Sequence, residues 1–225
     1  MSEQAGGGAA ARSARRVITA TTHLAAVPYV PEIRLQQAED PFTVWEQLEQ
    51  EAGQGSLPPP FWAFPWAGGQ ALARYLLDHP AVVAGQRVLD VASGSGLVAI
   101  AAARSGARPV LAADVDEIAV RAISVNAAAN GVRVTPVLAD LLDSDGDGAG
   151  VVLCADAFYE QDLAGRILAF LDRARVRGAR VLAGDPGRAF LRTAGFTPVA
   201  RYEIPVTIAL EGMTAKRATV YEVTG

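Results

Sequence analysis

Apolar and polar positions along the chain keep one rhythm from Arg87 onward and break it near the end. Short apolar runs at 87–91, 109–113, 132–138, 150–155 and 180–184 read as buried strands. Between them, apolar residues recur at helical spacing over 96–105, 117–129 and 161–174. Strands alternating with helices are βαβ units, which build a parallel sheet with right-handed crossovers. The pattern then changes: 196–205 and 214–223 read as two strands joined by the loop 208–213, with no helix between them. The predicted fold is therefore α/β, a doubly wound, mostly parallel seven-stranded sheet closed by a C-terminal antiparallel hairpin, with an N-terminal helical and extended arm.

That arm is irregular. Residues 16–22 have β-branched character, and 28–35 is too proline-rich for a helix and reads as extended. Asp40 and Pro41 offer a helix cap and first position, after which Phe42, Trp45 and Leu48 recur at helical spacing through 44–51. Gly53 and Gly55 stop this helix, and 57–60 is a stiff spacer. The aromatic stretch 61–70 leads into a helix over 71–79 that Pro80 terminates. Phe61 and Phe64 read as core, whereas Trp66 with Gly68 and Gly69 suggests a lid loop over a ligand. The expected organisation is a disordered tail at 1–16, an arm with lid helices at 17–80 and a core at 81–225.

Half of the 225 residues are apolar, enough for a sizeable core, and no apolar run reaches the roughly 20 residues of a membrane span. No membrane partner is expected, and a monomer is favoured. The single cysteine, Cys154, lies in an apolar run and suits core packing in a reducing, cytoplasmic setting. A net charge of −4 supplies no basic field for nucleic acid. With only His23 and His79, a histidine-based metal site or serine triad is hard to build, and no metal is expected. Asp143-Ser144-Asp145-Gly146-Asp147-Gly148 resembles the opening of a calcium loop. Its twelfth position is Cys154 and its flanks are strands, so it reads as a solvated loop.

The candidate chemistry centres on Val88-Leu89-Asp90-Val91-Ala92-Ser93-Gly94-Ser95-Gly96, a buried strand breaking into a small turn before a helix. Gly94 and Gly96 permit conformations and close approach that a Cβ forbids, and the next helix opens with free N–H groups. Asp114 closes the following strand, where a carboxylate can accept both hydroxyls of a ribose. Gly94-x-Gly96-x-x-Ala99, with Asp114 downstream, also fits a dinucleotide fingerprint, so a nicotinamide enzyme competes with other nucleoside-cofactor proteins. Asp140, directly after the strand at 132–138, could meet an adenine amine.

The glycine turn, the run Asn126-Ala127-Ala128-Ala129-Asn130-Gly131, Asp140 and the closing hairpin together resemble the seven-β-strand S-adenosylmethionine-dependent methyltransferases. Asp90 to Gly96 is similar to their first motif, with Ala92 in place of its first glycine. FWAFPWAGGQALARYLL at 61–77, Asp156-Ala157-Phe158-Tyr159-Glu160 and Gly184-Asp185-Pro186-Gly187-Arg188 narrow the resemblance. They are similar to the group that includes the electron-transfer flavoprotein β-subunit lysine methyltransferase and its bacterial relatives. The resemblance implies S-adenosylmethionine as cofactor and a protein lysine as methyl acceptor, the electron-transfer flavoprotein β subunit being a named candidate. Methylation of a ribosomal protein or small molecule, and a non-catalytic cofactor-binding module, remain alternatives.

The roles it implies are specific. Asp114 would bind the ribose hydroxyls and Asp140 the adenine amine, with Val115 and Leu141 also among the cofactor-binding residues. Ser93, Gly94 and Gly96, helped by Asp90 and Trp66, would make room for the methionine portion. Asp156 and Glu160 would attract the lysine ammonium and take its proton, with Phe158 or Tyr159 facing the cation. A helix cap competes for Asp156, ahead of the Leu163, Ile167 and Phe170 face. For Asp185 to Arg188, a turn holding an Asp–Arg pair competes.

Overall fold

A computed structural model describes residues 18–52, 59–146 and 148–225 of the protein. The expected tail at 1–16, the Gly53 and Gly55 stop, the first half of the 57–60 spacer and Asp147 lie outside the described residues. The strands are β1 (His23–Val27), β2 (Val30–Gln37), β3 (Val88–Val91), β4 (Val110–Asp114), β5 (Thr135–Leu138), β6 (Val151–Ala155), β7 (Arg180–Asp185), β8 (Phe196–Pro205) and β9 (Ala215–Val223). The helices are α1 (Pro41–Ala52), α2 (Ala67–Asp78), α3 (Leu97–Arg104), α4 (Glu117–Ala129), α5 (Gln161–Val176) and the short α6 (Ile208–Glu211).

Seven strands form one sheet in the order β5-β4-β3-β6-β7-β9-β8. β3 to β7 run parallel, and β9 is antiparallel to both β7 and β8, so the predicted closing hairpin is present. The winding runs outward from β3 through β4 to β5, then restarts on the other side with β6 and β7. The crevice where an open α/β sheet takes a ligand is thus at the carboxyl ends of β3 and β6. Every residue of β3 is buried, because both faces of the sheet are covered. Leu72, Leu76, Ile100 and Ile123 pack on one face, and Phe158, Ile167, Phe170 and Leu171 on the other. A third cluster of Val44, Leu48, Trp62, Phe64, Ala119 and Ala122 joins α1 and the aromatic segment to α4.

The arm differs from its sequence reading in three places. The β-branched stretch holds a helical turn at 18–21, where the Thr22 hydroxyl donates back to the Ile18 carbonyl. The extended segment is β2 of an antiparallel hairpin whose other strand, β1, the sequence pattern did not reveal. The outer edge of β2 is closed by asparagine side chains: Gln36 N–H donates to Asn126 Oδ1 at 2.8 Å and Arg34 N–H to Asn130 Oδ1 at 3.0 Å. Thirdly, Gly68 and Gly69 form no lid loop; they lie in the first turn of α2. A Cβ on Gly68 would stand 2.4 Å from the Gly184 carbonyl oxygen, so the glycine lets α2 rest directly on β7.

Elsewhere the differences are small. The loop between β8 and β9 contains α6, and β5 is shorter than the run 132–138. Asp40 caps α1 as expected, its carboxylate accepting from Thr43 N–H at 2.7 Å. Cys154 is buried in the core, and burial pushes its thiol well up. In the acidic loop, Asp143 pairs with Arg166 and Asp145 with Arg177. No helix among the described residues is long and apolar enough to cross a membrane.

Candidate active site

Two rims meet at the switch point, one built on β3 and β4 and the other on β6 and β7. At the first, the chain leaves β3 through Ala92 at φ +51°, Gly94 at φ +53° and Gly96 at φ +80°. Ala92 therefore adopts the left-handed backbone that the first glycine of the related motif would find free of strain. The carboxyl of Asp90 holds this turn from below. Its Oδ2 accepts from the Ser93 hydroxyl at 2.6 Å and from Ala99 N–H at 3.1 Å. Burial pushes the Asp90 pKa up to about 7 against the pull of those donors. Asp90 and Ser93 thus shape the loop rather than front it.

Asp114 braces the same turn from the side, Oδ2 accepting from Gly94 N–H at 2.8 Å and Oδ1 from Asp116 N–H at 3.0 Å. Beside it Val115 is 70% exposed, an apolar ledge next to a carboxylate, which suits a nucleoside. A Cβ on Gly94 would meet only Trp62 Cα, at 3.9 Å, so the space above the turn is open. The ends of β4 and β5 are tied by Ala139 N–H donating to the Asp114 carbonyl, which brings Asp140 and Leu141 alongside. Asp140 Oδ2 accepts from Arg166 at 2.9 Å, and that guanidinium holds its carboxyl below the ordinary range. Leu141 is half-buried against the α5 side of the core. Turn, acid and ledge therefore fit a nucleoside cofactor, with Asp140 already engaged by an arginine.

At the second rim Asp156 follows β6 with φ +55°; it and Ala92 are the left-handed non-glycine residues among those described. Its Oδ2 accepts from Gly69 N–H at 2.7 Å and its Oδ1 from Arg188 Nη2 at 2.7 Å and Nε at 3.2 Å. Burial raises its pKa to about 6, with Arg188 opposing. The helix-cap explanation for Asp156 fails, because α5 starts at Gln161 and Glu160 stands at the cap position. Gly69 also lies 3.7 Å, measured from an added Cβ, from Leu97 of the turn's helix, so α2 spans both rims.

Phe158 is the clear correction. It is fully buried between α5 and Phe196, with ring centroids 6.3 Å apart, and cannot face a substrate cation. Tyr159 and Glu160 are exposed at the rim, Tyr159 against Phe61 at 5.3 Å. Trp66 is fixed by Nε1–H donating to the Phe61 carbonyl at 2.8 Å, and Arg188 lies 5.3 Å from its ring centroid. The turn at Asp185 exists, Oδ1 accepting from Gly187 and Arg188 N–H at 2.7 Å each. The Arg188 guanidinium, however, pairs with Asp156 rather than Asp185. Sequence reasoning missed this, along with Glu211, which lies 3.6 Å from Arg188 and 2.6 Å from Lys216. Glu211 and Lys216 sit where the pattern showed only a loop and a strand, and nothing local marked them.

A cavity of about 710 Å³ lies between Leu142, Phe190 and the Arg166–Arg173 side of α5, and includes none of the residues at either rim.

The comparisons agree with this geometry. The model of a family described as ribosomal protein L11 methyltransferase matches residues 70–155, which run from within α2 through the glycine turn to the end of β6. The electron transfer flavoprotein beta subunit lysine methyltransferase of Xenopus laevis is 35% identical over 213 residues, 92% of this chain and 85% of that protein. The Mus musculus protein of the same name is 48% identical over 131 residues. There the match takes in 57% of this chain, which spans about half (51%) of the mouse protein's length. Among solved structures, magnesium protoporphyrin IX methyltransferase from Synechocystis PCC 6803 with bound SAM aligns at a TM-score of 0.53 and 16% identity. That alignment covers 82% of this chain and 93% of the other, a likeness of fold. By the extent of the Xenopus match, the chain belongs to the family of electron transfer flavoprotein beta subunit lysine methyltransferases.

Proposed function

We propose that the protein transfers a methyl group from S-adenosylmethionine to a lysine side-chain amine of a protein, and that the electron transfer flavoprotein β subunit is that protein. The observation that carries this reading is the buried Asp156 carboxyl, anchored on Gly69 and Arg188 across the switch point from the glycine turn.

When bound, S-adenosylmethionine supplies an electrophilic methyl group on a sulfonium sulfur. Asp114 would accept the ribose hydroxyls, Val115 would offer an apolar surface beside it, and the Gly94–Gly96 turn would leave room for the amino-acid end. Asp140 would meet the adenine amine while keeping Arg166. A free lysine has a pKa of about 10.4, so its ammonium must lose a proton before the nitrogen lone pair can attack in line with the departing sulfur. Asp156 is fixed by Gly69 and Arg188, and its part is to hold negative charge and direct the approach of the amine. Tyr159 and Glu160 line the entrance, and the proton leaves through that exposed rim to water. Alignment in a site with little water supplies most of the acceleration.

The test uses the full chain, tritiated methyl donor and purified electron transfer flavoprotein, with labelled lysines located by mass spectrometry. Label on the β subunit is expected. Asp156→Asn keeps the Gly69 acceptor but removes the charge, and should lower transfer about 100-fold with S-adenosylhomocysteine affinity changed less than about 3-fold. A β subunit left without label would overturn the substrate, and undiminished transfer by Asp156→Asn would overturn the role.

A further inference from the structure

Around Arg188 the acidic groups outnumber the basic ones. Asp156, Asp185 and Glu211 bring three carboxylates to the ends of β6, β7 and α6, and Arg188 and Lys216 bring two cations. The acids are well shielded: Asp185 is 1% exposed, and the side chains of Asp156 and Glu211 are 8% and 7% exposed. A surplus charge in water is tolerated easily, but a buried one is costly until a counter-ion reaches it.

Two oxygens show where that counter-ion belongs. Asp185 Oδ2 and Glu211 Oε1 are buried and accept no hydrogen bond among the described residues. Neighbouring cations are committed elsewhere. Arg188 directs Nη2 and Nε to Asp156 and lies over the Trp66 ring, reaching Glu211 Oε1 only at 3.6 Å. Lys216 Nζ sits on the other Glu211 oxygen at 2.6 Å. Burial raises the Asp185 carboxyl, with Arg188 and Lys216 only partly offsetting it. An alkylammonium carries three donors on one compact charge, the kind of group that two unpartnered carboxylate oxygens would bind.

We propose that Asp185 and Glu211 form the seat that receives the ammonium of the incoming lysine side chain, beside Trp66 and the Asp156–Arg188 pair. The seat is an inference that rests on the methyl-acceptor reading above. It makes Glu211, on the short α6 between the two antiparallel strands, a residue that selects for a cationic acceptor. The glycine turn and Asp114 that would hold the cofactor belong to the other rim, so loss of Glu211 should leave cofactor binding alone.

The experiment measures initial rates against electron transfer flavoprotein concentration, and S-adenosylhomocysteine affinity by calorimetry, for the full chain and two variants. Glu211→Gln should raise the acceptor KM about tenfold or more with cofactor affinity changed less than about twofold. Lys216→Met leaves the carboxylates short of a further cation and should lower that KM, about twofold or more. Opposite shifts support the seat. A merely structural cluster would impair both variants alike, and that result, or an unchanged KM in Glu211→Gln, would overturn it. Should the wild-type chain label no β subunit, the substrate reading fails separately. The seat is then read with n-butylammonium titrated into the S-adenosylhomocysteine complex and followed by tryptophan fluorescence. Saturable binding abolished in Glu211→Gln supports it, and binding indifferent to Glu211 overturns it.

Discussion

The rim on β3 and β4 and the rim on β6 and β7 are made in different ways. The first is mostly backbone: its turn, its brace at Asp114 and its support at Asp90 all come from residues 90–116, joined by N–H donors to carboxylates. The second is mostly side-chain charge, gathered from positions 66–69, 156, 185–188 and 211–216. A backbone cradle serves a ligand that does not change, whereas side chains drawn from several elements can be exchanged for one acceptor or another without unmaking the cradle.

The contact between α2 and β7 is where this division breaks most easily. Gly68→Ala puts a Cβ 2.4 Å from the Gly184 oxygen, against backbone that cannot swing away. We expect a loss of about 3 kcal/mol in denaturant unfolding, with the Gly69 bond to Asp156 disturbed as well. A stability within ~0.5 kcal/mol of wild type would mean the helix can lift off the strand freely.

Asp114→Ala sharpens the contrast from the other side. It removes the proposed ribose acceptor and the Gly94 brace, and should weaken S-adenosylhomocysteine binding about 30- to 100-fold in calorimetry, or roughly 2–3 kcal/mol. Unfolding midpoints should move little, since the side chain is only half-buried. If affinity stayed within twofold, the ribose assignment would fall.

The smallest effect concerns Asp90. Its folded pKa of about 7 lies above the ordinary 3.8, so the folded state binds the proton more tightly and loses stability as pH rises from about 4 to 7. Asp90→Asn keeps one oxygen for Ser93 and Ala99 and removes that titration. Its melting temperature relative to wild type should climb by about 3 °C or more between pH 5 and pH 8. A difference independent of pH would show that the carboxyl stays ionised in the fold.

The same contrast explains what could be read from the chain. The sheet, its closing hairpin and the β3 turn were legible because each follows from neighbouring residues: an apolar run, a glycine pair, an acid at a strand end. Asp140, Asp156 and Trp66 were found at the rims for the same local reasons. Phe158 was misread because Phe158 and Tyr159 are adjacent aromatics, and only the packing in three dimensions shows which ring turns inward, here onto Phe196. The lid expected of Gly68 and Gly69 failed because a glycine that frees a loop looks like one that admits a neighbouring strand. Arg188, Glu211 and Lys216 form a group only in three dimensions.

Asn126 ties the arm to this chemistry. Fully buried, it accepts from Gln36 of β2 and donates from Nδ2 to the Ser95 carbonyl at 2.8 Å, inside the glycine turn. One amide thus joins the hairpin to the glycine turn, so a disturbance of β2 removes a support of that turn. The β1–β2 hairpin is in that sense a remote buttress of the proposed nucleoside site.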